Sequence, residues 1–306
     1  MEEILGLLIW GFLVGGYGTL VGIGGGPLLV PVIAIVYHYP TPNVIAISLF
    51  VIFFNTLSGS LAYLRDKRVD IVSGTKFGLA TIPGSLISTF AVYYVHLNIF
   101  TFLFGSFLLA LAFYIYLKPI TSEAVLQQRI WAGNGVSAPS VYQQRVRGSR
   151  YHLVLNSGRP NLRPRNLSPE PGYVKRIITD ELGNTYRYQF NEGLGIAITI
   201  LISIFSTFLG IGGGLILVPV LVYLLAFPVH IASATSHYVT AINTCFTLIP
   251  FMVNGDILYR PAITLSIGAI IGAQVGAKLS NDIPGNILLK LLIPVFMFMG
   301  VRLLFF

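Results

Sequence analysis

The segment GIGGG stands twice in the chain, in LVGIGGGPLLVPV from Leu20 to Val32 and in FLGIGGGLILVPV from Phe208 to Val220. Glycine inside a helix costs about 1 kcal/mol relative to alanine, so each cluster must interrupt any helix that enters it. The interruptions belong to a larger repeat. Displacing the sequence by 188 sets Gly22 on Gly210, Gly24 to Gly26 on Gly212 to Gly214, Pro31 on Pro219 and Pro40 on Pro228. The same displacement sets Ser48 on Ser236, Asn55 on Asn243, Thr56 on Thr244 and Gly84 on Gly272, with no gap. Polar residues that recur in register inside apolar runs mark two homologous halves.

Those apolar runs identify the solvent. With 55% hydrophobic and 10% charged residues, against about 25% charged in a soluble domain, the chain is expected to be an all-α polytopic membrane protein. Stretches long enough to cross roughly 30 Å of hydrocarbon recur at 44–64, 71–95, 99–117, 231–252, 261–279 and 287–306. Two more, 4–37 and 194–227, contain the glycine clusters. The acidic start MEEILGLLIWGF reads as a retained first span in the cell membrane, since a signal peptide would begin basic. The single cysteine, Cys245, excludes an intrachain disulfide. The formal charge of +8 reads as membrane topology, and no nucleic-acid partner is expected.

Between membrane repeat 1 (1–118) and membrane repeat 2 (191–306) lies a different material. The insert 119–190 carries ten Arg or Lys against four Asp or Glu and is too polar for lipid. YHLVL and YVKRIITDELGNTYRYQF alternate as strands do, with Gly183-Asn184 placed for a hairpin turn, so a small β-containing extramembrane insert is expected. The loop RDKRVD at 65–70 is also basic and two spans away, which puts it on the face of the insert and both in the cytoplasm.

The glycine-broken stretches admit two geometries. As one straight helix, 4–37 would be about 51 Å long, well beyond the hydrocarbon core. If each broken stretch crosses once, as two half-helices, the chain has about eight spans and cytoplasmic termini. If each crosses twice, it has ten spans in inverted halves of five, with both termini outside. Crossings of about 17 residues lie at the short limit for a spanning helix, so eight is the preferred expectation.

Either way a new helix begins after each cluster, with Pro27 suited to its first turn. The free N–H groups and positive dipole end of such a helix bind anions without a lysine. Substrates of secondary transporters sit at discontinuous helices of this kind. Gly24, Gly25, Gly26, Gly212, Gly213 and Gly214 are therefore candidates for substrate binding, and close helix packing is the other reason for small residues there.

The paired GIGGGPLLVP and GIGGGLILVP, each opening a multi-span half, resemble the TauE/SafE family of sulfite exporters and related transporters. The resemblance covers both membrane halves and implies transport of small sulfur-containing or organic anions such as sulfite or sulfonates. The long insert departs from it.

Polar groups within the spans supply further candidates. Asn55 and Asn243, backed by Thr56 and Thr244, either contact the anion or bind helix to helix, and Ser48 and Ser236 lie about two turns earlier on the same helices. Gln274 is preferred for the cavity over Lys278, which lies near a helix end and is expected to snorkel. His237 replaces Leu49 of the first half and could carry a coupling proton. No HExxH, phosphate-loop or Cys/His pattern is present, so no enzyme, cofactor or metal is expected. The alternatives are a membrane-anchored protein presenting the basic insert to a partner and, last, an intramembrane enzyme. Nothing in the pattern specifies an oligomeric state.

Overall fold

The computed structural model of the chain describes residues 2–37, 39–91, 97–117 and 172–305. The first half forms α1 (Glu2–Val21), α2 (Gly26–Tyr37), α3 (Thr41–Arg65), α4 (Ile71–Ala91) and α5 (Leu97–Leu117). The second forms α6 (Glu192–Phe208), α7 (Gly214–Tyr223), α8 (Val229–Val253), α9 (Tyr259–Leu279), α10 (Gly285–Lys290) and α11 (Leu292–Phe305). Helices α3 and α8, and α4 and α9, begin and end 188 positions apart, so the sequence repeat is a repeat of structure.

The halves exchange partners. The main neighbour of α1 is α9 of the other half, and the main neighbour of α6 is α4; α3 likewise packs on α9, and α8 on α4. The seams are made by small residues, which let backbones touch where lipid offers no hydrophobic drive for association. Gly11 meets Leu265, Gly15 meets Ala269, and Gly272 and Gly276 both meet Gly16. In the equivalent seam Gly84 meets Ile200 and Ser203, with Ser203 standing where α1 has Gly15.

These contacts fix the helix directions. Residue numbers rise together along α1 and α9, and also along α1 and α3, where Gly15 and Thr19 meet Asn55 and the Tyr63 hydroxyl donates to Thr19 O. Along α4 and α8 they rise together too, Gly74 meeting Thr235 and Gly78 meeting Ile242. Helices α3 and α8 oppose each other: Asn43 Nδ2 donates to Asp256 O at one end, while Gly59 meets His237 nearer the other. Since α1 and α3 run the same way, α2 must bring the chain back between them. The two halves are inverted relative to each other.

This corrects the single-crossing expectation for the glycine-broken stretches. After Gly22 the chain doubles back, so that Gly25 lies beside Gly18 and Val14, one and two turns before the end of α1. By length and apolarity alone, three helices among the described residues could cross a membrane: Ile4–Val21, Pro42–Arg65 and Tyr259–Leu279. Part of the difference from eight has a physical reason. The glycines shorten α2 and α7 to 12 and 10 residues, and α4 and α8 turn Ser, Thr and Gly toward neighbouring helices, which lowers their hydropathy.

The insert contains β1 (Tyr173–Thr179) and β2 (Thr185–Asn191), antiparallel from Tyr173 opposite Asn191 to Thr179 opposite Thr185. The turn is wider than a two-residue Gly-Asn turn. Asp180 N and Asn184 O close it, Asp180 Oδ1 accepts from Asn184 N at 2.8 Å, and Gly183 takes a left-handed φ of 85°. The expected YHLVL strand lies outside the described residues.

The hairpin docks on the RDKRVD loop. Arg68 and Asp180, 3% and 0% exposed, pair at 3.5 Å, and Arg176 bridges Asp70 and Glu192 at 3.5 Å each. Tyr188 donates to Asp70 Oδ2 at 2.7 Å, and Phe190 lies buried against Phe77 and Phe227. Loop and insert therefore share one face, as the charge pattern predicts.

Candidate functional site

The two breaks have the same backbone. Gly22, Gly24 and Gly25 have φ of 86°, 77° and 80°, and Gly210, Gly212 and Gly213 have 67°, 79° and 95°. Only glycine takes such angles without a steric penalty, so the glycines are needed at these points. The fourth glycine is crowded instead. A methyl on Gly26 would stand 2.8 Å from Ile211 O, and one on Gly214 would stand 2.9 Å from Ile23 O. The breaks thus pack on each other at the centre of the molecule, joining the halves.

Helices α2 and α7 start here. Leu28 N and Leu29 N bind Gly25 O at 3.1 and 3.3 Å, and Leu217 N binds Gly213 O at 3.2 Å. The N–H groups before these have no carbonyl one turn back, and Pro27 brings none. Gly213 is the N-cap of α7 and has no side chain to close that end.

Each asparagine clasps the break of its own half. Asn55 Nδ2 donates to Gly24 O at 3.0 Å, and Asn243 Nδ2 donates to Gly212 O at 3.5 Å. Their carbonyl oxygens differ: Asn55 Oδ1 accepts from Thr19 at 3.3 Å, whereas Asn243 Oδ1 is buried with no hydrogen bond among the described residues. Thr56 and Thr244 spend their hydroxyls on Ile52 O and Thr240 O, one turn back on their own helices. Ser48 donates across the halves to Gly210 O at 2.9 Å, whereas Ser236 donates within its own half to Gly214 O at 3.5 Å.

The breaks also differ in space. A methyl on Gly25 would stand 2.9 Å from Val14 O, whereas one on Gly213 would meet only Ser206 Oγ at 3.4 Å and Asn243 Nδ2 at 3.8 Å. The second break is the more open one, edged by a hydroxyl and an amide.

Gln274 stands elsewhere: it is exposed, and its Nε2 donates to Ser58 O and Oγ at 2.8 Å in the seam of α3 and α9. Lys278 is exposed near the end of α9. His237 is fully buried beside the first break, its Nε2 lying 3.1 Å from Thr19 Oγ1 and its ring edge-on to Tyr63. Thr19, Ser206 and Tyr63 escaped the sequence reading. Thr19 was accessible to it, because the 188 displacement sets it on Thr207, three residues before the first glycine of each break. Among the described residues no group of three His, Cys, Asp or Glu could hold a metal ion.

One known family and two known proteins resemble this chain, over different shares of its length. The family described as Sulfite exporter TauE/SafE matches residues 7–303. Over 306 residues the chain is 26% identical to "Probable membrane transporter protein YunE" of Bacillus subtilis, covering 98% of this chain and 96% of that protein. Over 115 residues it is 33% identical to "Probable membrane transporter protein MJ0441" of Methanocaldococcus jannaschii, covering 36% of this chain and 43% of that one. No solved structure matches.

Proposed function

The chain belongs to the Sulfite exporter TauE/SafE family, and from that premise we propose that it carries small sulfur-containing or organic anions, such as sulfite or sulfonates, across the cell membrane. It is a multi-pass membrane protein of a transporter family and not an enzyme. The anion binds where α7 begins, between the Gly213 backbone, Ser206 and Asn243. The observation that supports this reading is the pair of GIGGG breaks, packed on each other at the centre of inverted halves, with the N-termini of α2 and α7 starting there.

Ten crossings, five per half, fit the helix directions. The basic loop and insert face the cytoplasm under the positive-inside rule, and both termini lie outside. Among the described residues no Asp or Glu lies midway along a helix, as a cation site would need, and an anion leaving a negative-inside cell gains about 2.3 kcal/mol per 100 mV. Export or facilitated flux can thus run without a coupling ion.

The test is flux of sulfite, thiosulfate and a set of sulfonates into proteoliposomes held at fixed potential. Saturable, potential-dependent flux of at least one of these anions, absent from empty liposomes, is expected. No flux of any of them through correctly inserted protein would overturn the reading.

A further inference from the structure

One face of α8 carries a row of buried polar groups that the protein satisfies only in part. His230, Ser233, His237 and Thr240 follow at helical spacing; His230 Nδ1 and Thr240 Oγ1 are buried with no hydrogen-bond partner among the described residues, while Ser233 Oγ has only the Tyr63 phenol within reach and His237 Nδ1 makes no well-formed bond, the Gly22 and Asn55 carbonyls lying near its ring. The row is directional. His230 is half-buried at the hairpin-bearing face, within the field of the Arg68 and Asp180 charges. Thr240 lies at the other end, its methyl turned toward Gly24 and Gly212. Across from the row, Ser60 on α3 also has an unpaired hydroxyl, and Ser280 after α9 is buried with only the Tyr63 oxygen within reach. The Tyr63 phenol lies beside Ser233 and Ser280.

The repeat provides an internal control. The residues that correspond to the row are Pro42, Ile45, Leu49 and Ile52 on α3, and Leu248 and Phe251 replace Ser60 and Tyr63. Ile45, Leu49, Ile52, Leu248 and Phe251 are all buried. The route from the breaks to the hairpin-bearing face is therefore polar, while its inverted counterpart toward the opposite face is filled with hydrocarbon.

Buried polar atoms that lack a protein partner are satisfied by water. We propose that this row lines a one-sided aqueous path, open to the hairpin-bearing face, that leads water and small oxyanions to the glycine breaks. Its hydroxyls and imidazoles can donate to either solute. The identity of the anion rests on the function proposed above; the path itself does not.

The experiment uses the full chain with Cys245→Ser as background, because Cys245 is exposed. Ser233→Cys and Thr240→Cys are compared with their repeat counterparts Ile45→Cys and Ile52→Cys. A membrane-impermeant, positively charged thiosulfonate is added to right-side-out and to inverted vesicles. Ser233→Cys and Thr240→Cys should react from the hairpin-bearing face at least ten-fold faster than either counterpart reacts from either face. Equal rates, or fast reaction of the counterparts from the opposite face, would overturn the proposal. Ser60→Cys against Leu248→Cys repeats the comparison from α3 and α8 if a first-choice variant fails to fold. Labelling needs no transport, so the expected labelling pattern without anion flux would sink the transporter reading and leave the path standing.

Discussion

The two breaks share a backbone but differ in what a single methyl would do. Gly25→Ala would combine a left-handed φ of 80° with a contact 2.9 Å from Val14 O, both of which act on the fold. A clear fall in thermal stability is expected, of the order of 1–3 kcal/mol for a strained backbone residue alone, and a melting temperature within a degree of wild type would contradict it. The asparagines show where the sequence stops. That polar side chains at 55 and 243 must be satisfied within lipid is legible from their apolar neighbours. That their amide nitrogens turn to carbonyls of the breaks is not, because a hydrogen-bond partner 31 residues away leaves no local signal.

Tyr188 gives a residue-scale test by pH. Burial, followed by the charge of Asp70, raises its hydroxyl above the ordinary value of 10.0. The neutral, donating form is thus favoured in the folded protein, so its contribution is complete below pH 10 and is lost as pH rises above that value. Melting temperature should fall more steeply above pH 10 in wild type than in Tyr188→Phe. Parallel curves would remove Tyr188 from the account.

At the scale of the element, the hairpin is anchored more firmly than the basic composition of the insert suggests. Arg68 and Asp180 are both buried, and removing one member of a buried pair leaves the other charge uncompensated, at about 3–5 kcal/mol. Asp180→Ala should therefore lower the melting temperature sharply, whereas removing Lys76 from its half-exposed pair with Glu192 should change little. Similar losses from both would show that burial is not what matters. For the same reason, replacing 120–170 with a short Gly/Ser linker should leave anion flux measurable, and excising 120–190 should not, since the longer cut removes Tyr188 and Phe190 from the core. The alternation in YVKRIIT and TYRYQF made the strands legible. The wide turn was not, because Asp180 closes it with a side chain that composition alone does not place.

For the whole molecule, the repeat was legible in full and its handedness was not. Hydropathy is blind to direction: a helix that continues through a glycine cluster and one that turns back present the same apolar residues. Three left-handed glycines decide the matter by returning the chain to Gly18 and Val14. Reporters in the RDKRVD loop and at the C-terminus should consequently read opposite sides of the membrane, the loop inside. A cytoplasmic C-terminus would restore the eight-span arrangement. The central claim, that anions pass at the second glycine break, is tested by flux through Gly213→Asp and Gly213→Asn in proteoliposomes at fixed potential. The two side chains match in size and are strained alike by the Gly213 φ of 95°, so they differ in that Asp brings a negative charge where Asn brings a neutral amide. The Asp variant should lose at least ten-fold in sulfite or sulfonate flux relative to the Asn variant, with equal melting temperatures. Equal flux through both would contradict it.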